Sequence, residues 1–148
     1  QSSCQSSTRG IFFRATGNII DYITIASTGY AQDFGDVGTT TGGGGGLSNA
    51  TRGIIAGGST PGPATDIYYI TIATKGNATD FGDLAQGNEG GAGTSSPTRG
   101  LIMGMKTPSI YSQIDSVQIM TLGNAIDFGN TSEARSLGGA CSNGHGGL

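Results

Sequence analysis

A pattern centred on Asp-Phe-Gly occurs three times along the chain at a constant spacing. The copies read GYAQDFGDV, GNATDFGDL and GNAIDFGNT, and their phenylalanines, Phe34, Phe81 and Phe128, are 47 residues apart each time. A fixed period of roughly 20 to 50 residues is typical of solenoids, propellers and other repeat architectures. The chain is therefore expected to use one structural unit three times.

Asp-Phe-Gly is also the magnesium-binding tripeptide of protein kinases, so a phosphoryl-transfer site is the first alternative. A kinase needs the tripeptide once, with a strand lysine, a helix glutamate and a catalytic-loop aspartate and asparagine. This chain has two lysines, Lys75 and Lys106, and no His-Arg-Asp sequence. We therefore predict a structural motif, with no catalytic residues and no cofactor. His145 near Ser142 has no acid partner and is expected to be a surface or terminal residue.

Two further elements recur in the same register. Each unit opens on Thr-Arg-Gly, which contains Arg9, Arg52 and Arg99, and continues into an alternating stretch such as DYITIAS at 21–27. Alternation of apolar with polar residues, rich in β-branched types, predicts a strand with one buried face. The side chains expected to point inward are Ile23, Ile25, Ile70, Ile72, Val117 and Ile119. No segment has a helical period, so an all-β fold is predicted.

The repeats predict a single domain over 1–148, with units at about 4–46, 47–93 and 94–140 and a last segment, 141–148, that starts a fourth unit or closes the domain. The five glycines at 42–46 fall in the register of the repeat. We expect them in an inner strand pressed against neighbouring backbone, where a side chain would not fit. The alternative is a flexible glycine-rich linker.

The charge of the chain excludes some partners. The net charge is −3, and the seven Lys and Arg residues are scattered singly, whereas nucleic-acid binding draws its affinity from clustered basic residues. The apolar runs are far shorter than the roughly 20 residues of a membrane-spanning helix. We therefore predict no nucleic acid and no membrane span. The low charged fraction of 11% suits a virion-borne or extracellular protein with a hydroxyl- and amide-rich surface.

The units resemble kelch-type β-propeller blades. TRGIIAGG at 51–58 is similar to the kelch strand that ends in two glycines, DIYYITIATKGNATDFGDL at 66–84 resembles the outer strand pair, and SEARSLGGAC at 132–141 resembles the inner strand with its leading arginine. The chain departs from that family in keeping the double glycine only at Gly57 and Gly58, in placing Phe where kelch blades have Trp, and in having the leading arginine only as Arg135. The resemblance implies an antiparallel β-propeller of four-stranded blades.

The sequence ITIATKGNATDFGDL is also similar to repeats in structural and appendage proteins of tailed bacteriophages, especially marine ones. This resemblance implies a non-enzymatic structural protein that assembles in a virion appendage or extracellular assembly. Propellers have roughly 4 to 8 blades, so the expected partner of three blades is a second copy, with two chains forming six blades. An open polymer is the alternative, because a heterologous contact does not always close.

The sequence CSNGHGGL at 141–148 stands in the register of CQSSTRGI at 4–11. Strand complementation is therefore expected, either between the chain ends or between copies. Cys4 and Cys141 occupy equivalent positions at this seam, and a disulfide within a chain or between chains is predicted. Two free thiols are the alternative. Two cysteines and one histidine are too few for a structural zinc site, and no metal site is predicted.

The acidic pairs in the repeated pattern offer oxygen ligands for calcium, but the third pair is Asp127 with Asn130 and no Gly-rich ligand loop accompanies them. We instead expect the first aspartate of each pair to cap a turn and Arg9, Arg52 and Arg99 to pair with carboxylates of a neighbouring blade. The residues predicted to be structural in this way are Asp33, Phe34, Gly35, Asp80, Phe81, Gly82, Asp127, Phe128 and Gly129.

A carbohydrate-binding adhesin is the alternative function, with surface glycans as the partner. The second and third units have longer loops than the first, GGSTPGPAT at 57–65 and GMKTPSIYSQ at 104–113. Tyr68, Tyr69 and Tyr111 lie in or beside these variable loops and are the candidate rings for stacking on sugars. Asn49, Asn77 and Asn130 match the N-glycosylation pattern. That match is a weak signal in a chain rich in Asn, Ser and Thr, and it carries no meaning in a phage protein.

Overall fold

The computed structural model of the chain describes residues 2–14, 17–39, 42–59, 62–104 and 109–142. Within them the chain forms twelve β-strands and no helix, which confirms the all-β prediction. The strands are β1 (Ser2–Gln5), β2 (Arg9–Phe13), β3 (Ile19–Thr24), β4 (Gln32–Asp36), β5 (Gly45–Ser48), β6 (Arg52–Ala56), β7 (Ala64–Thr71), β8 (Thr79–Asn88), β9 (Ala92–Ser95), β10 (Arg99–Met103), β11 (Gln113–Gln118) and β12 (Ile126–Asn130). His145 lies outside the described residues.

The strands form three four-stranded antiparallel sheets, each in chain order: sheet 1 is β1–β4, sheet 2 is β5–β8 and sheet 3 is β9–β12. Strands joined by short turns pair antiparallel, as the connections here require. The arginine that opens each second strand pairs at one register, Arg9 with Thr24, Arg52 with Thr71 and Arg99 with Gln118. The predicted boundaries at 46/47 and 93/94 fall inside β5 and β9, so each folded unit begins a few residues earlier.

The hydrophobic core lies between the sheets. We call the face of a sheet that packs on the next sheet in chain order its downstream face, and the opposite face its upstream face. Sheets 1 and 2 bury Cys4, Ile11, Phe13, Ile20, Phe34 and Val37 from sheet 1 against Ile55, Ile70 and Ile72 from sheet 2. Sheets 2 and 3 bury the equivalent Leu47, Ile54, Ala56, Ile67, Phe81 and Leu84 against Ile102, Val117, Ile119 and Ala125. Each unit therefore depends on its neighbour for a core.

Four of the six side chains predicted to point inward are buried, and Ile23 is half-buried. Ile70, Ile72, Val117 and Ile119 are buried, and full burial of such a side chain stabilises the fold by about 1.5–3 kcal/mol. The prediction is wrong for Ile25, which is 49% exposed. The reason is that no sheet among the described residues packs on the upstream face of sheet 1.

The glycine-rich stretch is part of a packed strand, as predicted. Gly45 and Gly46 begin β5, and a Cβ on Gly46 would collide with the carbonyl oxygen of Ser3 in β1. The same crowding recurs one unit later, where a Cβ on Gly93 would collide with the carbonyl oxygen of Gly46. The first strands of successive sheets therefore lie in direct backbone contact, which only glycine permits at these positions.

The described residues do not close into a ring. β1 already holds the first position in sheet 1, so residues 137–142 do not complete that sheet within the chain, and complementation between copies stays a prediction. In this part of the chain there is also no helix long and apolar enough to span a membrane.

Candidate functional site

The repeated Asp-Phe-Gly pattern joins each sheet to the next. The Gly76 amide donates to the carbonyl oxygen of Phe34 at 2.9 Å, and the Ala78 amide donates to that of Asp36 at 2.8 Å. One unit later the same two bonds recur at the same lengths, from Gly123 to Phe81 and from Ala125 to Asp83. The pattern is therefore an inter-unit connector made largely of backbone hydrogen bonds.

The glycine of each connector is required by this close approach. Gly82 has φ of 144°, and a Cβ on it would lie 2.5 Å from the carbonyl oxygen of Gly123. A Cβ on Gly35 would likewise collide with the carbonyl oxygen of Gly76. Only glycine combines a positive φ with the absence of a side chain. Gly129, the third equivalent, has φ of 142° but no atom within 4 Å of its Cβ position.

Asparagine strengthens the connector in a way the sequence analysis missed. Asn77 Oδ1 accepts a hydrogen bond from the Asp36 amide at 3.0 Å, and Asn124 Oδ1 accepts one from the Asp83 amide at 3.1 Å. The available signal was the Gly-Asn-Ala sequence that recurs at 76–78 and 123–125. In the first unit the same position holds Tyr30, which is 98% exposed.

Two aspartates of the pattern accept a hydrogen bond from the amide two residues further on, at a β-bulge inside β8 and inside β12. Asp80 Oδ1 accepts a hydrogen bond from the Gly82 amide at 3.2 Å, and Asp127 Oδ1 accepts one from the Gly129 amide at 2.9 Å. The predicted aspartate bond is therefore present in the second and third units, but within a strand and not in a turn. Asp33, the first equivalent, lies exposed on β4. No group of three or more metal-ligating side chains occurs within the part of the chain that the structure describes.

The repeated arginines reach the neighbouring unit but not its carboxylates. Arg9 Nη1 donates to the carbonyl oxygen of Ile72 at 2.8 Å, and Arg52 Nη1 donates to that of Ile119 at 2.8 Å. The predicted pairing with carboxylates is therefore wrong for these two. The carbonyl lies at the end of the alternating strand of the next sheet, directly opposite the arginine.

The two cysteines do not form the predicted disulfide within the chain. Both are free, Cys4 buried and Cys141 exposed. Cys4 Sγ packs against Gly53, where it lies 2.5 Å from the position a Cβ would take, and burial raises the pKa of its thiol to about 12. Cys4 therefore serves as an apolar plug between sheets 1 and 2. A disulfide between chains stays a prediction.

The tyrosines predicted to stack on sugars are packed between the sheets. Tyr68 packs on the cluster between sheets 1 and 2, and Tyr69 and Tyr111 pack on the cluster between sheets 2 and 3. The Tyr69 ring also packs edge to face on the Phe81 ring, with the two ring centroids 6.2 Å apart. Tyr68 and Tyr69 therefore pack on opposite faces of sheet 2, and stacking of these rings on sugars stays a prediction.

The asparagines of the glycosylation pattern also have structural partners. Asn49 is buried, and its Oδ1 accepts hydrogen bonds from the Thr51 and Arg52 amides while its Nδ2 donates to the carbonyl oxygen of Pro97. Burial of this amide leaves no room for a glycan in the folded protein. Asn77 is engaged in the connector, and Asn130 Oδ1 accepts from Ser112 Oγ at 2.9 Å.

Two sheet faces remain open, and they carry the residues that are buried at the internal junctions. On the upstream face of sheet 1, Phe12 is 42% and Ile25 is 49% exposed, whereas Ile55 and Ile72, their equivalents in sheet 2, are buried. This face of sheet 1 is equivalent to the face of sheet 2 that packs on sheet 1.

The downstream face of sheet 3 is the other open face. Phe128 is 49% exposed, against 3% for Phe34 and for Phe81. Together with Arg99 and Leu101 it lines a depression of about 380 Å³. The Arg99 guanidinium lies 5.7 Å from the Phe128 ring centroid and donates no hydrogen bond to any described residue. Its equivalents, Arg9 and Arg52, donate to the carbonyl oxygens of Ile72 and Ile119.

Comparison with known proteins identifies no relative of the chain. No model of a known protein family matches the chain, and no curated protein is significantly similar to it.

Proposed function

We propose that this chain is a non-enzymatic structural repeat protein that assembles with copies of itself, sheet 3 of one copy packing on sheet 1 of the next. The observation that carries the proposal is the equivalence of the two open faces to the halves of the internal junctions. Exposed apolar patches of this kind mark interaction sites. The chain already forms this junction twice, between sheets 1 and 2 and between sheets 2 and 3. The two open faces correspond to the two sides of such a junction.

The connector supports the same partner. In the register of the internal junctions, the Gly29 amide of one copy faces the carbonyl oxygen of Phe128 in the other, as Gly76 faces Phe34. Gly129 has open space at its Cβ position, which leaves room for the incoming backbone. A backbone-to-backbone connector also discriminates against unrelated surfaces, because it needs a chain that approaches as closely as glycine allows.

The proposed architecture is an antiparallel β-propeller. Its support is that contacts between neighbouring sheets concentrate at their first strands, as in blades that converge on an axis. A head-to-tail contact gives a ring if its rotation closes and a filament if it does not. Two chains forming six blades is the simplest ring. The proposed setting, a virion appendage or extracellular assembly, rests on the sequence resemblance and the low charge.

The proposal is tested by the mass of the native particle, measured by light scattering over a range of concentrations. The full chain is expected to form a discrete multimer or a polymer. Phe128→Asp and Ile25→Asp should each remain monomeric, because each places a charge in one half of the junction. Ile110→Asp is the matched control: Ile110 is 46% exposed in the loop before β11, and its substitution should leave assembly intact.

Mixing the two defective variants tests the head-to-tail arrangement. Each retains the open face that the other has lost, so the mixture should form a single junction and a particle of two chains. A wild-type chain that stays monomeric at all concentrations contradicts the proposed function. Assembly that survives both substitutions would place the contact elsewhere on the protein.

A further inference from the structure

Residues 137–142 continue the row of first strands beyond sheet 3. The Leu137 amide donates to the carbonyl oxygen of Gly90 at 2.9 Å, which repeats the bond from the Gly90 amide to the carbonyl oxygen of Gly43. Thr94 Oγ1 donates to the carbonyl oxygen of Cys141 at 2.7 Å. The segment therefore lies on sheet 3 in the place of a fourth first strand.

The segment at 138–142 has no strand paired with it. In each sheet the first strand pairs with the second, as β1 does with β2, β5 with β6 and β9 with β10. No strand within the described residues pairs with 138–142. The chain thus has four segments in the position of a first strand: β1, β5 and β9 are each paired with a second strand, and 138–142 is not.

When two chains assemble, residues 138–142 of one chain and β1 of the other compete for the same position on sheet 3. An incoming copy that docks in the register of the internal junctions brings its own β1 onto sheet 3, where residues 138–142 already lie. Both strands cannot occupy that position, because successive first strands are already in backbone contact. Assembly must displace one of them.

The sequence favours the C-terminal copy as the occupant. Gly138, Gly139 and Ala140 stand in the register of the small residues at 44–46 and 91–93, whereas β1 has Ser2 and Ser3 at the corresponding positions. A small residue is needed there because the neighbouring backbone is so close. Ala140 adds a single Cβ at the position that Gly46 and Gly93 leave empty, which is less bulk than Ser3 brings there.

A row of hydroxyl groups indicates the same choice. Ser48 Oγ donates to the carbonyl oxygen of Gln5 at 2.7 Å, and Ser95 Oγ donates to that of Ser48 at 2.6 Å. Ser142 continues the row, with its Oγ 3.3 Å from that of Ser95. β1 has Gln5 at this position, so an incoming β1 would end the row of serines.

The geometry points to strand exchange: residues 138–142 of one copy replace β1 in sheet 1 of the next copy, with Cys141 taking the place of Cys4 beside Gly53. The two cysteines are then alternative plugs for one site, which explains why the same residue type stands at both ends. The inference rests on the proposed function, since it describes how the same junction forms. It adds that residues 138–142 are the donated segment and that β1 is the displaced strand.

The test is the reactivity of the two thiols in the full chain, before and after assembly. In the monomer, a brief pulse of iodoacetamide should modify exposed Cys141 and spare buried Cys4. In the assembled fraction the pattern should invert, with Cys4 modified and Cys141 protected. Cys4→Ala and Cys141→Ala chains confirm which peptide carries each label. Assembled particles in which Cys4 stays protected overturn the exchange and leave the proposed function standing.

Two bulky substitutions give opposite results for exchange and for simple docking. Ala140→Phe should dislodge the donor segment by collision with the neighbouring first strand, and so abolish assembly if exchange occurs. If chains dock without exchange, the Ala140→Phe chain should still assemble, or assemble more readily. Ser3→Phe should be tolerated under exchange, because Ser3 is exposed and its strand leaves; under simple docking it would block assembly. A wild-type chain that never assembles overturns the proposed function and the exchange together.

Discussion

Arg52 and Ile119 join sheet 2 to sheet 3 through a single hydrogen bond of 2.8 Å, from the Arg52 Nη1 to the Ile119 carbonyl oxygen. The guanidinium also lies 4.2 Å from the Tyr69 ring centroid. Arg9 makes the equivalent bond to Ile72, and Arg99 has no such acceptor in the described residues. Arg9 and Arg52 therefore bond to the next sheet, whereas Arg99 lacks the equivalent bond in the described residues.

Substitution of these arginines by methionine separates stability from assembly. Arg52→Met removes a hydrogen bond from a charged donor and should lower the free energy of unfolding by about 2 kcal/mol. Arg99→Met should change that free energy by less than about 0.5 kcal/mol, as for other surface changes, but raise the concentration needed for assembly. Denaturant unfolding and light scattering measure the two effects. Equal destabilisation by both variants would contradict the assigned roles.

Alanine at the connector glycines distinguishes a collision from backbone strain. Gly82 and Gly129 have nearly the same φ, 144° and 142°, but only Gly82 faces a neighbouring carbonyl oxygen at 2.5 Å from its Cβ position. Gly129→Ala should cost about 1–3 kcal/mol of stability for the strained backbone, and Gly82→Ala should cost more because its Cβ also collides with the Gly123 carbonyl oxygen. Unfolding in urea compares them. A smaller loss for Gly82→Ala than for Gly129→Ala would contradict the close approach between sheets 2 and 3.

Asp115 gives the stability a dependence on pH. The side chain is buried on the upstream face of sheet 3, Oδ2 has no partner within the described residues, and Gln113 Nε2 donates to Oδ1. Burial is the main cause that raises the pKa of this carboxyl, while hydrogen bonds from Gln113 and the Ala85 backbone lower it and the nearby Asp127 raises it. The folded state therefore holds the proton to a higher pH than the unfolded state does.

The sign of that dependence follows from proton linkage. The contribution of Asp115 to stability is fully present below the ordinary aspartate pKa of about 4 and is lost as the pH rises through the raised value. Asp115→Asn should therefore be more stable than the wild type near neutral pH, with the difference shrinking as the pH approaches 4. Thermal or urea unfolding at several pH values measures it. A difference that grows toward acid would reverse the assignment.

Leu137 carries backbone strain that its equivalents avoid. Its φ is 58°, where Gly43 and Gly90 have 84° and 81°, and a left-handed conformation costs a non-glycine residue about 1–2 kcal/mol. Leu137→Gly should stabilise the segment, and the amide at position 137, which bonds to Gly90, should exchange its hydrogen more slowly. Hydrogen exchange resolved by residue checks this. Faster exchange at 137 would show that Leu137 contributes packing that outweighs the strain.

Much of the fold was predictable because its determinants are local and repeated. Alternation in DYITIAS and its equivalents marks one buried face, and the constant spacing of Phe34, Phe81 and Phe128 marks equivalent strands. The register of the glycine stretch at 42–46 correctly predicted a packed strand, which begins at Gly45. These features depend on side-chain period and chain length, which a single sequence displays.

The errors concern which surfaces meet. Arg52 bonds to a carbonyl oxygen and not to a carboxylate, because the end of the neighbouring strand is nearer than any acidic side chain. Ile25 has the pattern of a core residue and is exposed, since burial needs a second sheet as well as an apolar face. Tyr68 and Tyr69 are adjacent in sequence, yet the pleat sends their rings to two different cores.

By itself, the sequence determined the number of units, their β character and the positions where a side chain has no room. Only the tertiary structure decided that the core lies between units, that the Asp-Phe-Gly pattern connects one unit to the next, and that one half-junction stays open on sheet 1 and another on sheet 3. The physical reason is that period and composition act within a strand, whereas a junction depends on how two separate sheets approach each other.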